Sequence, residues 1–379
     1  MANEQLKEEI IQYAKTIGID KIGFTSANPF AEMKARLKMQ QDDGYQSGFE
    51  KGTIEERTEP ELHLNDAESI IAIAVAYPSR MKEKVANKRG RRRGSFCRAS
   101  WGHDYHDVLN ERLELLATFI AARVPGFRYR SMVDTGELVD KAVAERAGIG
   151  WSGKNSLMIT PEFGSYVYLG EMITNIPFPS DQPIDDGCGD CTLCLDLCPT
   201  GALVAPGRLN AQNCLAFVTQ TKGFMPDRFR DKIGNHLYGY DNCQVVCPKN
   251  SGVDHHLHPE LEPDPELVKP ELLPLLSISN REFKDKFGQM AGSWRGKKPI
   301  QRNAIIALAN YKEEVAVDEL IRLMNEDPRP VIRGTAAWAI GKIGRPDGFD
   351  AIRSAEKKEQ DPDVLTEMKK GLAYEQVMT

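Results

Sequence analysis

At 379 residues the chain has room for two or three compact domains. Its 55 acidic and 49 basic side chains leave a net charge of −6, which argues against nucleic-acid binding through overall charge and leaves only a local basic patch. The polar start "MANEQLKEEI" is no secretory signal, and the longest apolar run, Ile70 to Tyr77, is far short of the roughly 20 residues that span a bilayer. A soluble, cytoplasmic protein without membrane contact is expected.

Leu6, Ile10, Tyr13, Ala14 and Ile17 share one helical face, closed by Gly18. "KIGFT" and "SIIAIAVAY" read as buried strands. Leu109, Leu113, Leu116 and Ile120 make 105–124 an amphipathic helix, and "FRYRSMVD" alternates like a strand. A helix is predicted over 137–147 with Gly148 as its C-terminal cap, followed by the strand "SYVYLGEMIT". Residues 1–178 thus read as one α+β domain, and "FPSDQPIDDG" as a linker.

Next comes "CGDCTLCLDLCPTGA", with Cys188, Cys191, Cys194 and Cys198 followed by Pro199. This is the spacing of the bacterial ferredoxin run, whose fourth cysteine serves the other of two clusters. Cys214 and "YGYDNCQVVCPKN", with Cys243 and Cys247 before Pro248, end a second run. Crossing the halves assigns Cys188, Cys191, Cys194 and Cys247 to one 4Fe-4S cluster. Cys198, Cys214 and Cys243 go to the other, one thiolate short, with Tyr240 and Asp241 the nearest candidates and Cys97 a distant one. Disulfides are disfavoured in the cytoplasm, and zinc sites usually show two separated CxxC pairs. A ferredoxin-like double-cluster domain is expected over 179–253.

"HPELEPDPELVKPELLP" predicts an extended connection within 254–290. Beyond it, "KPIQRNAIIALA" from Lys298 matches "RPVIRGTAAWAI" from Arg329 at an offset of 31 residues, the mark of HEAT-like helical repeats over 291–379. The repeat stacks Arg302 on Arg333, and with Arg295, Lys297 and Lys298 these form either a solvated helix face or an RNA phosphate-tracking ridge. "KRGRRRG" (88–94) is open to the same two readings. "DHHLHPE" (254–260) reads as a floppy loop or a metal site.

The string "RSMVDTGELVDKAVAERAGIGWSGKNSLMI", the cysteine runs and the repeats, in that order over essentially the whole chain, resemble the epoxyqueuosine reductases. The resemblance implies a nitroreductase-like N-terminal domain that binds cobalamin, with kinship to reductive dehalogenases. It implies removal of the epoxide oxygen from epoxyqueuosine at the wobble position of the tRNAs for tyrosine, histidine, aspartate and asparagine, giving queuosine. Converting an epoxide to an alkene and water takes two electrons, from an external donor through the clusters and cobalt, and two protons. The Asp-x-His-x-x-Gly cobalamin signature is absent, "DYHDVL" ending in Leu109, so base-off cobalamin without a protein ligand to cobalt is expected. The family's proton donor falls on Asp134; a carboxyl can donate near neutral pH only if burial or a neighbouring negative charge raises its pKa. Asp134 also stands three residues before Glu137, a spacing suited to a helix cap. Trp151, Ser152, Gly153, Lys154 and Asn155 are expected to contact cobalamin, and Cys97, Tyr105 and His106 are further candidates for the substrate side. A monomer is expected. Two other functions use the same residues: a reductive dehalogenase-like enzyme on a small molecule, and a non-enzymatic ferredoxin-type electron carrier.

Overall fold

The structure is a computed structural model and describes residues 2–378. Two compact units interleave along the chain: Met1–Arg80, Gly102–Cys214 and Asp241–Glu262 make the first, and Met81–Trp101, Leu215–Tyr240 and Pro263–Thr379 the second. These do not coincide with consecutive boundaries at 178, 253 and 290. Residues 215–240 leave the cysteine-rich region because Phe229, Ile233 and Leu237 are buried in the core of the helical repeats.

The first unit is built on a four-stranded antiparallel sheet in the order Lys21–Ser26, Ser69–Ala76, Val167–Thr174, Tyr129–Met132. Ser69–Ala76 is buried along its whole length, as its unbroken small and β-branched run requires of a strand covered on both faces. Alternation along Val167–Thr174 then separates neighbours. Gly170 faces the helix Tyr105–Ala121, where an added Cβ would touch Leu109 and Leu113 at 3.4 Å. Glu171 therefore points to the other face, where Ala142, Val143 and Ala144 of the helix Asp140–Arg146 pack with Ala72 and Ile173.

The expected helices are present, with Gly18 (φ 80°) and Gly148 (φ 71°) following two of them in the left-handed conformation. One start differs. The helix expected from Glu137 begins at Asp140, behind a bend in which Gly136 packs against Met132. Its N-cap is Val139, so Asp134 does not cap it, and Glu137 pairs instead with Lys51 at 2.6 Å. The histidine-rich segment is neither floppy nor a metal cage. His258 Nε2 lies 2.7 Å from Asp20, His256 sits between Glu262 (2.9 Å) and Asp254 (3.3 Å), and His255 packs on Phe163.

In the second unit the helices Lys297–Asn310, Val317–Glu326, Pro330–Ile343, Pro346–Glu356 and Pro362–Ala373 stack as HEAT repeats around one apolar core. Beneath Trp338, Arg230 forms a bidentate, almost fully buried pair with Glu367 at 2.6 and 2.8 Å. The segment expected to be extended is folded. Pro265 opens a short helix rather than preventing one, and Leu272–Ser277 and Asn280–Phe287 follow, the latter with a Ser279–Glu282 capping box. The string at 88–94 is a clamp: Arg89, Arg92 and Arg93 pair with Glu314, Glu313 and Glu266 at 2.8–2.9 Å, and Arg91 pairs with Glu271.

Candidate active site and metal centres

A helix start and a turn assemble an acid cluster in the first unit. Asp104 caps Tyr105–Ala121: its Oδ1 accepts the His106 backbone N–H at 3.1 Å and lies 2.6 Å from His106 Nδ1. His106 Nε2 stands 3.3 Å from Asp134 Oδ2, and the Tyr105 hydroxyl donates to the same oxygen at 2.9 Å. Asp134 has φ 48°, a left-handed conformation that Asp and Asn tolerate better than most side chains. Its N–H donates to Asp140 Oδ2 at 2.8 Å. Behind it Glu171 is fully buried, and apart from the Asp140 carboxyl hydrogen-bonded against it no protein group reaches its oxygens.

The charges sort themselves by position. Burial opposes a charged His106, but Asp104 and Asp134 outweigh it and lift the imidazole to about 9. Contact with His106, against the effect of burial, holds Asp134 below the usual carboxylate range. Burial first and the Asp134 charge second push Asp140 up to about 7. Burial and then Asp140 push Glu171 well above its ordinary value. At neutral pH the open side thus holds an imidazolium–carboxylate pair and the buried side a protonated carboxyl. A raised Asp134 pKa is not found; the transferable proton rests on His106.

From this cluster an aromatic stack leads inward. Tyr105 lies parallel to Tyr168 at 4.4 Å, Tyr168 stacks on Tyr77 at 4.4 Å, and the Tyr77 hydroxyl accepts from Gln244 at 3.1 Å. Gln244 stands between Cys243 and Cys247, so contacts run unbroken from Asp134 to the second cysteine run. Cys188, Cys191, Cys194 and Cys247 line one cavity of about 60 Å³ with Lys154 and Asn155. Cys243 neighbours Cys214 and Cys198; burial and then the Cys214 charge push its thiol up to about 12. A thiol held that high ionises only when a metal takes the place of its proton. The Ala202 N–H points at Cys198 Sγ, 3.3 Å away. Among the described residues no three His, Cys, Asp or Glu side chains converge as they would on a single ion.

The remaining candidates divide. Lys154 donates to the Gly189 carbonyl at 2.5 Å, Asn155 to the Cys243 carbonyl at 3.4 Å and Ser152 to Glu145 at 2.9 Å. Gly153 has Ile159 and Asn155 atoms within 2.7 Å of where a Cβ would stand, and Trp151 covers Gly187. The close approach made by this loop is to the cysteine-rich segment. Trp151 Nε1 and Ser156 Oγ remain buried without a protein partner. In the second unit Cys97 Sγ packs against Gly239. The expected basic ridge breaks up there. Arg302 is 1% exposed and spends its guanidinium on the carbonyls of Thr221 (2.8 Å), Gly223 (2.9 Å) and Val218 (3.1 Å), because residues 215–240 cover its helix. Arg333 is half-buried against Glu359 at 2.8 Å. Arg295 and Lys297 donate to the carbonyls of Gln220 and Ile278, and Lys298 is exposed.

Three family models match in chain order: "Epoxyqueuosine reductase QueG, DUF1730" over residues 57–135, "4Fe-4S double cluster binding domain" over 187–250, and "HEAT repeats" over 295–373. The epoxyqueuosine reductase of Bacillus anthracis is 64% identical over 369 residues, 97% of each chain. This chain belongs to the epoxyqueuosine reductase family. A solved epoxyqueuosine reductase holding a tRNA-Tyr epoxyqueuosine-modified stem loop superposes with a TM-score of 0.97 at 63% identity, covering 98% of this chain and 99% of that one. Another, from Bacillus subtilis with its Asp134 catalytic loop swung out of the active site, has a TM-score of 0.96, 63% identity and the same coverage.

Against this family background, Asp104, Asp140 and Glu171 are the site residues that sequence reasoning passed over. Glu171 had a signal, a lone carboxylate in the otherwise uncharged strand "VYLGEMIT". Asp140 had none, since an acid in a first helical turn is ordinary.

Proposed function

We propose that this chain reduces epoxyqueuosine to queuosine at the tRNA wobble position, in the tRNAs for tyrosine, histidine, aspartate and asparagine, using electrons from an external donor. The observation that carries it is the continuous contact chain from the cysteine runs through Gln244, Tyr77, Tyr168 and Tyr105 to Asp134, within a chain 63% identical to a reductase solved with that modified stem loop. Cys188, Cys191, Cys194 and Cys247 hold one 4Fe-4S cluster, and Cys198, Cys214 and Cys243 hold the second. Base-off cobalamin, when bound, supplies a low-valent metal able to deliver the electron pair that no side chain carries. Trp151 Nε1 and Ser156 Oγ, buried donors without protein partners, fit its peripheral amides.

The protein's own part is protonic. Asp134, 61% exposed at its side chain, stands between His106 and the departing epoxide oxygen and relays to it the proton that His106 holds 3.3 Å away. Asp104 holds the imidazole in place and keeps it protonated, while Tyr105 fixes the Asp134 carboxylate. Asp140 and Glu171 store a further proton behind the turn. Lys298, with Arg295 and Lys297 beside it, contacts the tRNA backbone, and the enzyme works as a cytoplasmic monomer. Among the described residues no helix is long and apolar enough to cross a membrane. The test is cobalamin binding: iron-loaded protein mixed with cobalamin and gel-filtered retains corrin absorbance. Iron retained without corrin would leave a ferredoxin-type carrier.

A further inference from the structure

The strand Tyr129–Met132 ends directly across from Glu171: Met132 pairs with Glu171 in the antiparallel ladder, and Ala72 flanks it from the other side. Two residues on stands Asp134, at the head of a bend that folds back over the strand end. A Cβ on Gly136 would lie 2.5 Å from the Met132 Cβ, so that close return needs glycine. Asp134 itself is left-handed at φ 48°, a conformation that persists only where its surroundings hold it. One such hold is the 2.8 Å hydrogen bond from its N–H to Oδ2 of Asp140, the residue that opens the helix Asp140–Arg146.

Beneath that bond the carboxyls of Asp140 and Glu171 are hydrogen-bonded to one another. Ionised carboxylates only accept, so at least one proton must lie between them. Position decides which of the two carries it. Burial opposes ionisation of both, but Asp140 also accepts the backbone N–H groups of Asp134 and of its own residue, which favour its charged form. Glu171 is 0% exposed and meets no protein group but Asp140, so it keeps the proton and donates it to Asp140. Its neighbours on this face, Ala142, Val143 and Ala144, would suit an apolar side chain better.

We propose that Glu171 is a positioning residue for Asp134: its O–H fixes the Asp140 carboxyl where it accepts the Asp134 N–H, and so holds the Asp134 carboxylate against His106 and Tyr105. The proposal deepens the proton relay described above and rests on it. Glu171 acts through Asp140 and reaches neither substrate nor cofactor. Without its O–H the Asp140 carboxyl answers instead to Arg57, a cation that Glu50 and Asp140 together favour. The Asp134 N–H then loses its partner, and the carboxylate leaves the imidazole.

The test follows the His106 titration by NMR in the full-length protein, beside single-turnover reduction of epoxyqueuosine tRNA. Glu171→Leu removes no charge, because the carboxyl is neutral. Its direct effect is to let Asp140 ionise more readily, and a nearer negative charge raises His106. The proposal expects the opposite sign: His106 falls from about 9 by about one pH unit, as far as in Asp134→Asn, and the double variant falls no further. The single-turnover rate drops by about 10² while tRNA affinity holds. Glu171→Gln, whose amide still donates to Asp140, keeps the titration near 9. Glu171→Ala takes the place of Glu171→Leu should leucine prevent folding. His106 still titrating at about 9 in the folded apolar variant overturns the proposal, and so does Glu171→Gln shifting as far as Glu171→Leu. If Asp134→Asn itself leaves His106 unmoved, the relay beneath the proposal fails instead.

Discussion

Asp134→Asn separates the roles of the acid cluster. Asparagine tolerates the left-handed φ of 48°, so the turn is kept while the charge is removed. His106 is lifted from 6.5 to about 9 by two carboxylates, an interaction on the order of 3 kcal/mol. Asp104, at 2.6 Å, carries the larger share and Asp134, at 3.3 Å, the smaller, so the substitution should lower His106 by about one unit. At pH 8 its protonated fraction then falls from roughly nine-tenths to one-half. That alone costs less than a factor of about two in rate, whereas loss of a true acid costs about 10²–10⁴. Single-turnover conversion of epoxyqueuosine tRNA at pH 6–9, with the His106 titration followed by NMR, distinguishes the two. A drop of about 10² or more at every pH is expected. A rate within about twofold of wild type at pH 6, where His106 is protonated in both proteins, would refute Asp134 as the donor.

Asp140 titrates near 7 in the fold against an ordinary 3.8, so the folded state binds more protons between those values and stability falls as pH rises through that window. Asp140→Asn should flatten the melting-temperature profile between about pH 4 and 7; a profile as steep as wild type contradicts the assignment. Glu367→Gln strands the buried Arg230 guanidinium, a cost of about 3–5 kcal/mol. At about 2–4 °C per kcal/mol for a unit of this size, the melting temperature should fall by roughly 6–20 °C, and a loss under about 2 °C would show the pair to be idle. Lys298→Ala should weaken tRNA binding and reduce the slope of log affinity against log salt by about 0.7–0.9, and an unchanged slope removes Lys298 from the interface.

Much of the fold was legible because it rests on periodicity. Leu109, Leu113, Leu116 and Ile120 are all fully buried, as their spacing requires, and the buried strand Ser69–Ala76 lies where its apolar run put it. The spacing of the two cysteine runs suggests a crossover, and Cys188, Cys191, Cys194 and Cys247, drawn from both runs, line one cavity. Burial of charge was not legible. Arg302 repeats Arg333 in sequence, yet its helix lies beneath residues 215–240, and nothing in a 31-residue repeat announces which helix another segment will cover. Prolines misled for a related reason: Pro265 starts a helix, where its missing N–H is harmless. The proton inventory of Asp134 depends on His106, 28 residues away in the chain and 3.3 Å away in space, a proximity only the fold creates.

The most direct test is the product itself. Protein loaded with iron, sulfide and cobalamin is incubated anaerobically with a reductant and tRNA bearing epoxyqueuosine, and the nucleosides are weighed by mass spectrometry. Loss of one oxygen, dependent on both cobalamin and the clusters, is the predicted result; epoxyqueuosine recovered intact from fully loaded, reduced protein would contradict the account.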